Sequence, residues 1–278
     1  SYVEQLAAEC DRKGWAFVQP IIRSSYAGYG CSSLANDVAD LTDLATYLLR
    51  VHRAATACEF AVVGHSTGCQ DIVQLLATAP FDVRSKIRAV VLQAPVSDRE
   101  AASLEEDAPG RATRLAQAQQ LLAEGRPGAL LPELHYGFVP INAARYSSLF
   151  GRGGADDLFS SDFTDAELAS LLGHLSTSGQ REARGELAHE PVPAHPGLLA
   201  LFVHSGADEY VPASVDPSKL SRRFVAAAGA DGCARALVIE GANHNLASPD
   251  GAAATFVHAV GELLDEAIER VFTTTEDF

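Results

Sequence analysis

The residues best suited to chemistry are a serine, an aspartate and a histidine spread along the chain. Gly64-His65-Ser66-Thr67-Gly68 fits the pattern G-x-S-x-G and lies between a strand-like run ending at Val63 and a helical stretch opening at Gly68. So tight a turn predicts a strained backbone at Ser66, with Gly64 and Gly68 removing side chains that would collide with the flanking strand and helix. Ser66 Oγ then stands at a strand end, where the backbone N–H of Thr67 and the helix N-terminus face the place a tetrahedral oxyanion would form. The plainer reading, a Gly-Ser turn that only joins a strand to a helix, loses weight from this strand-turn-helix setting.

A serine hydroxyl becomes a nucleophile when a base takes its proton, and that base works best when a carboxylate orients it. Asp208, in Gly206-Ala207-Asp208-Glu209-Tyr210, and His244, in Ala242-Asn243-His244, each follow an apolar strand-like run. Asp98, just past an earlier run, is the alternative acid. His204 and His258 fall beside a strand and inside a helix, where they are less free to reach Ser66. His65 is expected to back the site and Cys69 to fill core. The loop that holds Tyr26 and Tyr29 leaves another strand-like run and is placed to line a pocket. Further along, His135, Tyr136, Arg145 and Tyr146 are candidates for substrate contact. Asp37, Asp40 and Asp43 read as a solvated helix face. No cysteine and histidine spacing suits zinc, so neither a metal nor an organic cofactor is expected.

The elements that must position these residues alternate. Strands are expected at Ala16 to Ile22, Glu59 to Val63, Ile87 to Leu92, Leu198 to Val203 and Ala236 to Ile239. Helices are expected at Leu34 to Leu49 behind a Ser32-Ser33 cap, Gly68 to Ala79, Pro217 to Ala228 and Gly251 to about Arg270. Strand and helix in turn imply an α/β fold, a parallel sheet flanked by helices, whose strand ends share one edge. The stretch 98–195 breaks the rhythm with helices alone, including capping boxes at Ser97-x-x-Glu100 and Thr164-x-x-Glu167 and a helix from Arg111 to Glu124. It reads as a helical lid inserted into a core formed by 1–97 and 196–278.

The chain's 278 residues, 47% hydrophobic and 21% charged, suffice for one substantial core, and no apolar run approaches the roughly 18 residues of a membrane span. Lys+Arg 21 against Asp+Glu 36 leaves a net charge of −15, a field that repels nucleic acid and anionic membrane surfaces. Five cysteines without paired spacing fit a reducing, cytoplasmic setting. Neither nucleic acid nor a membrane is an expected partner.

The same residues resemble the α/β-hydrolase superfamily, through Gly64-His65-Ser66-Thr67-Gly68, the stretch from Gly206 to Pro212 and Ala242-Asn243-His244. GHSTGCQD at 64–71, LQAPVSDREA at 92–101 and ADDLFSSD at 155–162 look like the fungal and plant family that includes intracellular fungal siderophore esterases. The resemblance implies ester hydrolysis through an acyl-enzyme on Ser66, with a siderophore-type hydroxamate ester as one substrate. Thioesterase or acyltransferase chemistry, or a receptor that binds without turnover, are the alternatives on this fold. One departure carries an expectation of its own. The chain starts at Ser1, has no methionine and opens in a helix, where the superfamily has strands and a loop that supplies the second oxyanion N–H. Those strands and that loop are expected to be missing, to leave a gap beside the strand at Glu59 to Val63, and to impair hydrolysis. One lost oxyanion donor costs about 3 to 4 kcal/mol.

Overall fold

Short apolar runs separated by helical stretches settle into a parallel sheet. In a computed structural model, which describes residues 2–52, 58–105, 107–135, 137–175, 198–229 and 233–275, β1 (Phe60–His65), β2 (Ile87–Gln93), β3 (Leu199–Ser205) and β4 (Ala234–Ile239) pair in the order β1-β2-β3-β4. All three pairings are parallel, and the register carries the strand ends along one edge: His65 opposite Gln93, Gln93 opposite Val203, Ser205 opposite Ile239.

Helices cover both faces. On one face Val90, Leu92, Ala200 and Phe202 pack with side chains of α2 (Leu34–Val51), α3 (Gly68–Thr78) and α9 (Pro217–Ala228). On the other, Ala89, Val91, Leu201 and Val203 meet α1 (Tyr2–Arg12) and α10 (Ala252–Thr275). Burial on two faces is why β2 and β3 read as continuous apolar runs rather than as alternating ones. No helix among the described residues is long and apolar enough to cross a membrane.

Three local expectations differ from what is observed. The run from Ala16 to Ile22 forms no strand. It has no neighbouring strand to share a hydrogen-bond ladder with, and Pro20 brings no N–H to one. Accordingly β1 pairs with β2 on one side and, among the described residues, with no strand on the other. Two cavities of about 250 and 320 Å³ follow that open edge, between β1 and residues such as Trp15, Ala16 and Val18. Asp37 is buried rather than solvated, and Ser32 Oγ donates to it at 3.1 Å. The box at Ser97 is half formed: Glu100 N donates to Ser97 Oγ, but the Glu100 carboxylate accepts from Ser161 instead of closing back. The box at Thr164 and Glu167 is complete.

The insertion after β2 holds α5 (Asp98–Glu105), α6 (Ala108–Ala123), α7 (Ala143–Phe150) and α8 (Asp165–Leu172), with a short α4 (Phe81–Arg84) preceding β2. Ala118, Leu131, Ile141, Tyr146 and Leu149 close a small core of their own. Leu168 and Leu172 of α8 instead join the core of the sheet. The proline-rich stretch at 191–196 lies outside the described residues. Phe202 is fully buried at the centre of that core, its ring 5.8 Å from Phe224. Phe202→Ala is expected to lower the unfolding free energy by about 3 to 5 kcal/mol, read from denaturant midpoints; a loss below about 1 kcal/mol would contradict the placement.

Candidate active site

The turn after β1 is a strained one. Ser66 has φ 54, in the left-handed region, and is held there by Ser66 N donating to Gln93 O at 3.0 Å and Cys69 N donating to Ser66 O at 2.8 Å. Gly64 is required by contact, since a Cβ there would stand 2.3 Å from Gly68 O. Gly68 is not: a Cβ on it meets nothing within 4 Å, so the collision expected at that position is absent. It opens α3 facing free space. Cys69 is fully buried in the core as expected.

Asp208 follows β3 and His244 follows β4, and the two loops are tied by Gly206 N donating to Ile239 O and Ala207 N to Ala242 O, both at 2.8 Å. His244 Nδ1 lies 2.8 Å from Asp208 Oδ2 and 3.0 Å from Oδ1. Donation from Nδ1 to the carboxylate leaves Nε2 with its lone pair, the tautomer a general base needs. Further bonds fix the pair. Tyr210 N donates to Asp208 Oδ1 at 3.0 Å, His244 N donates to Glu209 Oε2 at 2.9 Å, and Gln93 Nε2 donates to His244 O at 3.0 Å. His65 Nδ1 meets Gln93 Oε1, and the His65 ring lies 4.8 Å from that of His244. Burial lowers the His65 pKa, the bond to Gln93 opposes that shift, and His244 adds to it. His65 thus backs the His244 ring.

Ser66, Thr67 and His244 line one open cavity of about 480 Å³. The Ser66 hydroxyl makes no hydrogen bond to His244; such contacts commonly tighten only around substrate. Tyr26 and Tyr29 line the cavity, as expected from their loop. Asp98 lines it too, but does not reach His244: it accepts from Gln70 Nε2 at 2.9 Å and Tyr29 Oη at 3.3 Å. Its role as the alternative acid is therefore not supported by position. Loss of solvent around it, then the nearby Asp156, pushes its pKa up to about 7.

The lid candidates fare differently. His135 is buried and stacks on Tyr29, behind the wall rather than on it. Arg145 is buried, donating to Asp156 Oδ1 at 2.6 Å and Tyr29 O at 3.0 Å. Tyr146 belongs to the small core. Tyr136 lies outside the described residues. Of the passed-over histidines, His258 is exposed and His204 is buried against Ser221. Sequence reasoning missed Phe138, Val139, Val96 and Tyr210, which also line the cavity. Tyr210 alone carried a signal, two residues from Asp208.

The two glycines separate by experiment. Gly64→Ala is expected to collapse soluble yield or cut the melting temperature sharply, while Gly68→Ala melts at or above the parent; equal behaviour would contradict the contact geometry. Burial, with Asp37 next, also pushes Asp71 from 3.8 up to about 7. A carboxyl raised in this way holds its proton in the folded state after the unfolded chain has released it. Stability then falls as pH rises from 3.8 through about 7 and levels beyond. The melting temperature is expected to be lower at pH 8 than at pH 5.5, with a smaller difference in Asp71→Asn; an unchanged slope in that variant would overturn the assignment.

The profile of the family described as Protein of unknown function (DUF1749) matches residues 1–265. Fusarinine C esterase sidJ of Aspergillus fumigatus is 28% identical over 298 residues, covering 91% of this chain and 80% of that protein. The structure titled Siderophore hydrolase EstB from Aspergillus fumigatus superposes with a TM-score of 0.74 and 25% identity, over 96% of this chain and 86% of that one. An α/β-hydrolase fold protein of unknown function superposes at 0.61 with 24% identity, over 98% and 83%. The fold is that of the α/β-hydrolases, a parallel sheet flanked by helices, and the chain belongs to the DUF1749 family.

Proposed function

We propose that this protein is a serine esterase in which Ser66 is the nucleophile, His244 the general base and Asp208 the residue that orients and stabilises the imidazole. The observation that carries the reading is the doubly bonded Asp208 to His244 pair opening onto the same cavity as the strained Ser66. In the forward step His244 Nε2 takes the Ser66 proton and Oγ attacks the ester carbonyl. The Thr67 N–H, at the start of α3, donates to the developing oxyanion. The protonated His244, stabilised by Asp208, then gives its proton to the leaving alcohol, and water repeats the sequence to free the acid.

The substrate is a small-molecule ester, because the cavity volume suits a ligand of modest size. A siderophore-type hydroxamate ester is the specific candidate, supported by the relatives named for fusarinine C and for siderophore hydrolysis. Acyl transfer through Ser66 and His244 asks nothing of a metal or an organic cofactor.

A fluorophosphonate probe is expected to label the native protein at Ser66 and not Ser66→Ala; equal labelling of both, or none of either, would sink the esterase reading and favour binding without turnover. Asp208→Asn is expected to lower kcat by about 10⁴ with the fold intact, since the imidazole would lose the tautomer it needs. Release of acid from fusarinine C, followed by mass spectrometry, tests the substrate separately.

A further inference from the structure

The cavity beside Ser66 has an unbalanced lining. Among the described residues its aromatic side chains are Tyr26, Tyr29, Phe138 and Tyr210, its one carboxylate is Asp98, and no lysine or arginine lines it. Asp98 forms no ion pair among the described residues: the side chains that donate to it are the neutral Gln70 and Tyr29. The guanidinium of Arg145 is committed elsewhere, to Asp156 and to the Tyr29 carbonyl, and lies over the Tyr29 ring at 5.1 Å. A carboxylate with no ion-pair partner, lining a cavity whose described walls also hold four aromatic side chains, suits an ammonium group, through charge and through ring quadrupoles.

Resting on the esterase reading above, we propose that this cavity selects esters that carry a cationic ammonium group, with Asp98 as its counter-ion and the Tyr26, Tyr29, Phe138 and Tyr210 rings around it. The net charge of −15 works in the same direction by drawing cations toward the surface. An anionic ester would meet Asp98 with no cation on the described cavity lining to balance it.

Groups facing Asp98 from the surrounding elements are Tyr29 from its loop, Gln70 from α3, Arg145 from α7, Asp156 beyond α7 and, across the cavity, His244 after β4. Asp98 ionises near pH 7, so its charge is present at pH 8. His244 affects every ester alike, and a ratio of rates between two esters removes its contribution.

Acetylcholine and 3,3-dimethylbutyl acetate have the same shape and differ in charge. At pH 8 the kcat/KM for acetylcholine is expected to exceed that for the neutral isostere by about tenfold, and the ratio to fall toward one in the isosteric Asp98→Asn. A ratio at or below one in the native protein, or a preference untouched by Asp98→Asn, would overturn the proposal. Calorimetric binding of choline against 3,3-dimethylbutanol to Ser66→Ala makes the same comparison without turnover. If neither ester is hydrolysed in a Ser66-dependent way, fluorophosphonate labelling of Ser66 judges the esterase reading separately, and the binding ratio decides the cation proposal.

Discussion

Gln93, the last residue of β2, is where the strand register becomes a site. Its carbonyl accepts from Ser66 N and fixes the turn after β1; its side-chain amide donates to His244 O and meets His65 Nδ1. Because β1, β2, β3 and β4 run parallel, the turns after β1, β3 and β4 leave from one edge, and Gln93 sits between them with its side chain fully buried. A one-residue slip of β2 against β1 would turn that amide to the opposite face and leave the His244 loop without its anchor.

The strain in this edge is affordable only because the surroundings over-determine it. A non-glycine residue at φ 54 costs about 1 to 3 kcal/mol. Ser66 is held by backbone bonds on both sides and by the close approach of Gly64 to Gly68, while the loops after β3 and β4 are bonded to each other before any side chain is considered. The pairing of Asp208 with His244 is thus set by backbone bonds, and its geometry is ready before a ligand arrives.

What could be read beforehand follows from the range of each interaction. The four paired strands, the helices around them and the candidate serine, acid and base are legible because period, turn residues and chain order are local or follow from parallel pairing. Ala16 to Ile22 has strand composition, yet pairing depends on a neighbour and none is present among the described residues. Asp37 sits among acidic residues spaced like a solvated face, and only the packing of α2 against the Tyr29 loop buries it. The lid aromatics carried no signal separating wall from core: Tyr146 faces inward and Phe138 outward, a choice made by the small core around Ile141.

Beside that small core lies a buried cation. Arg145 is almost fully buried, and burying a guanidinium is costly unless its donors and charge are met. Asp156 meets the charge, with Ser148 Oγ donating to its other oxygen at 2.5 Å, while the Tyr29 carbonyl takes the Nε–H and the Tyr29 ring lies against the plane. Three carboxyls feel the same guanidinium, for it lowers the pKa of Asp37, Asp71 and Asp98 against their burial. Lysine could not replace it, having neither the planar fork that reaches Asp156 and Tyr29 O together nor the flat face that stacks on the ring. By holding Tyr29, whose hydroxyl reaches Asp98, Arg145 joins the inserted helices to the wall of the cavity.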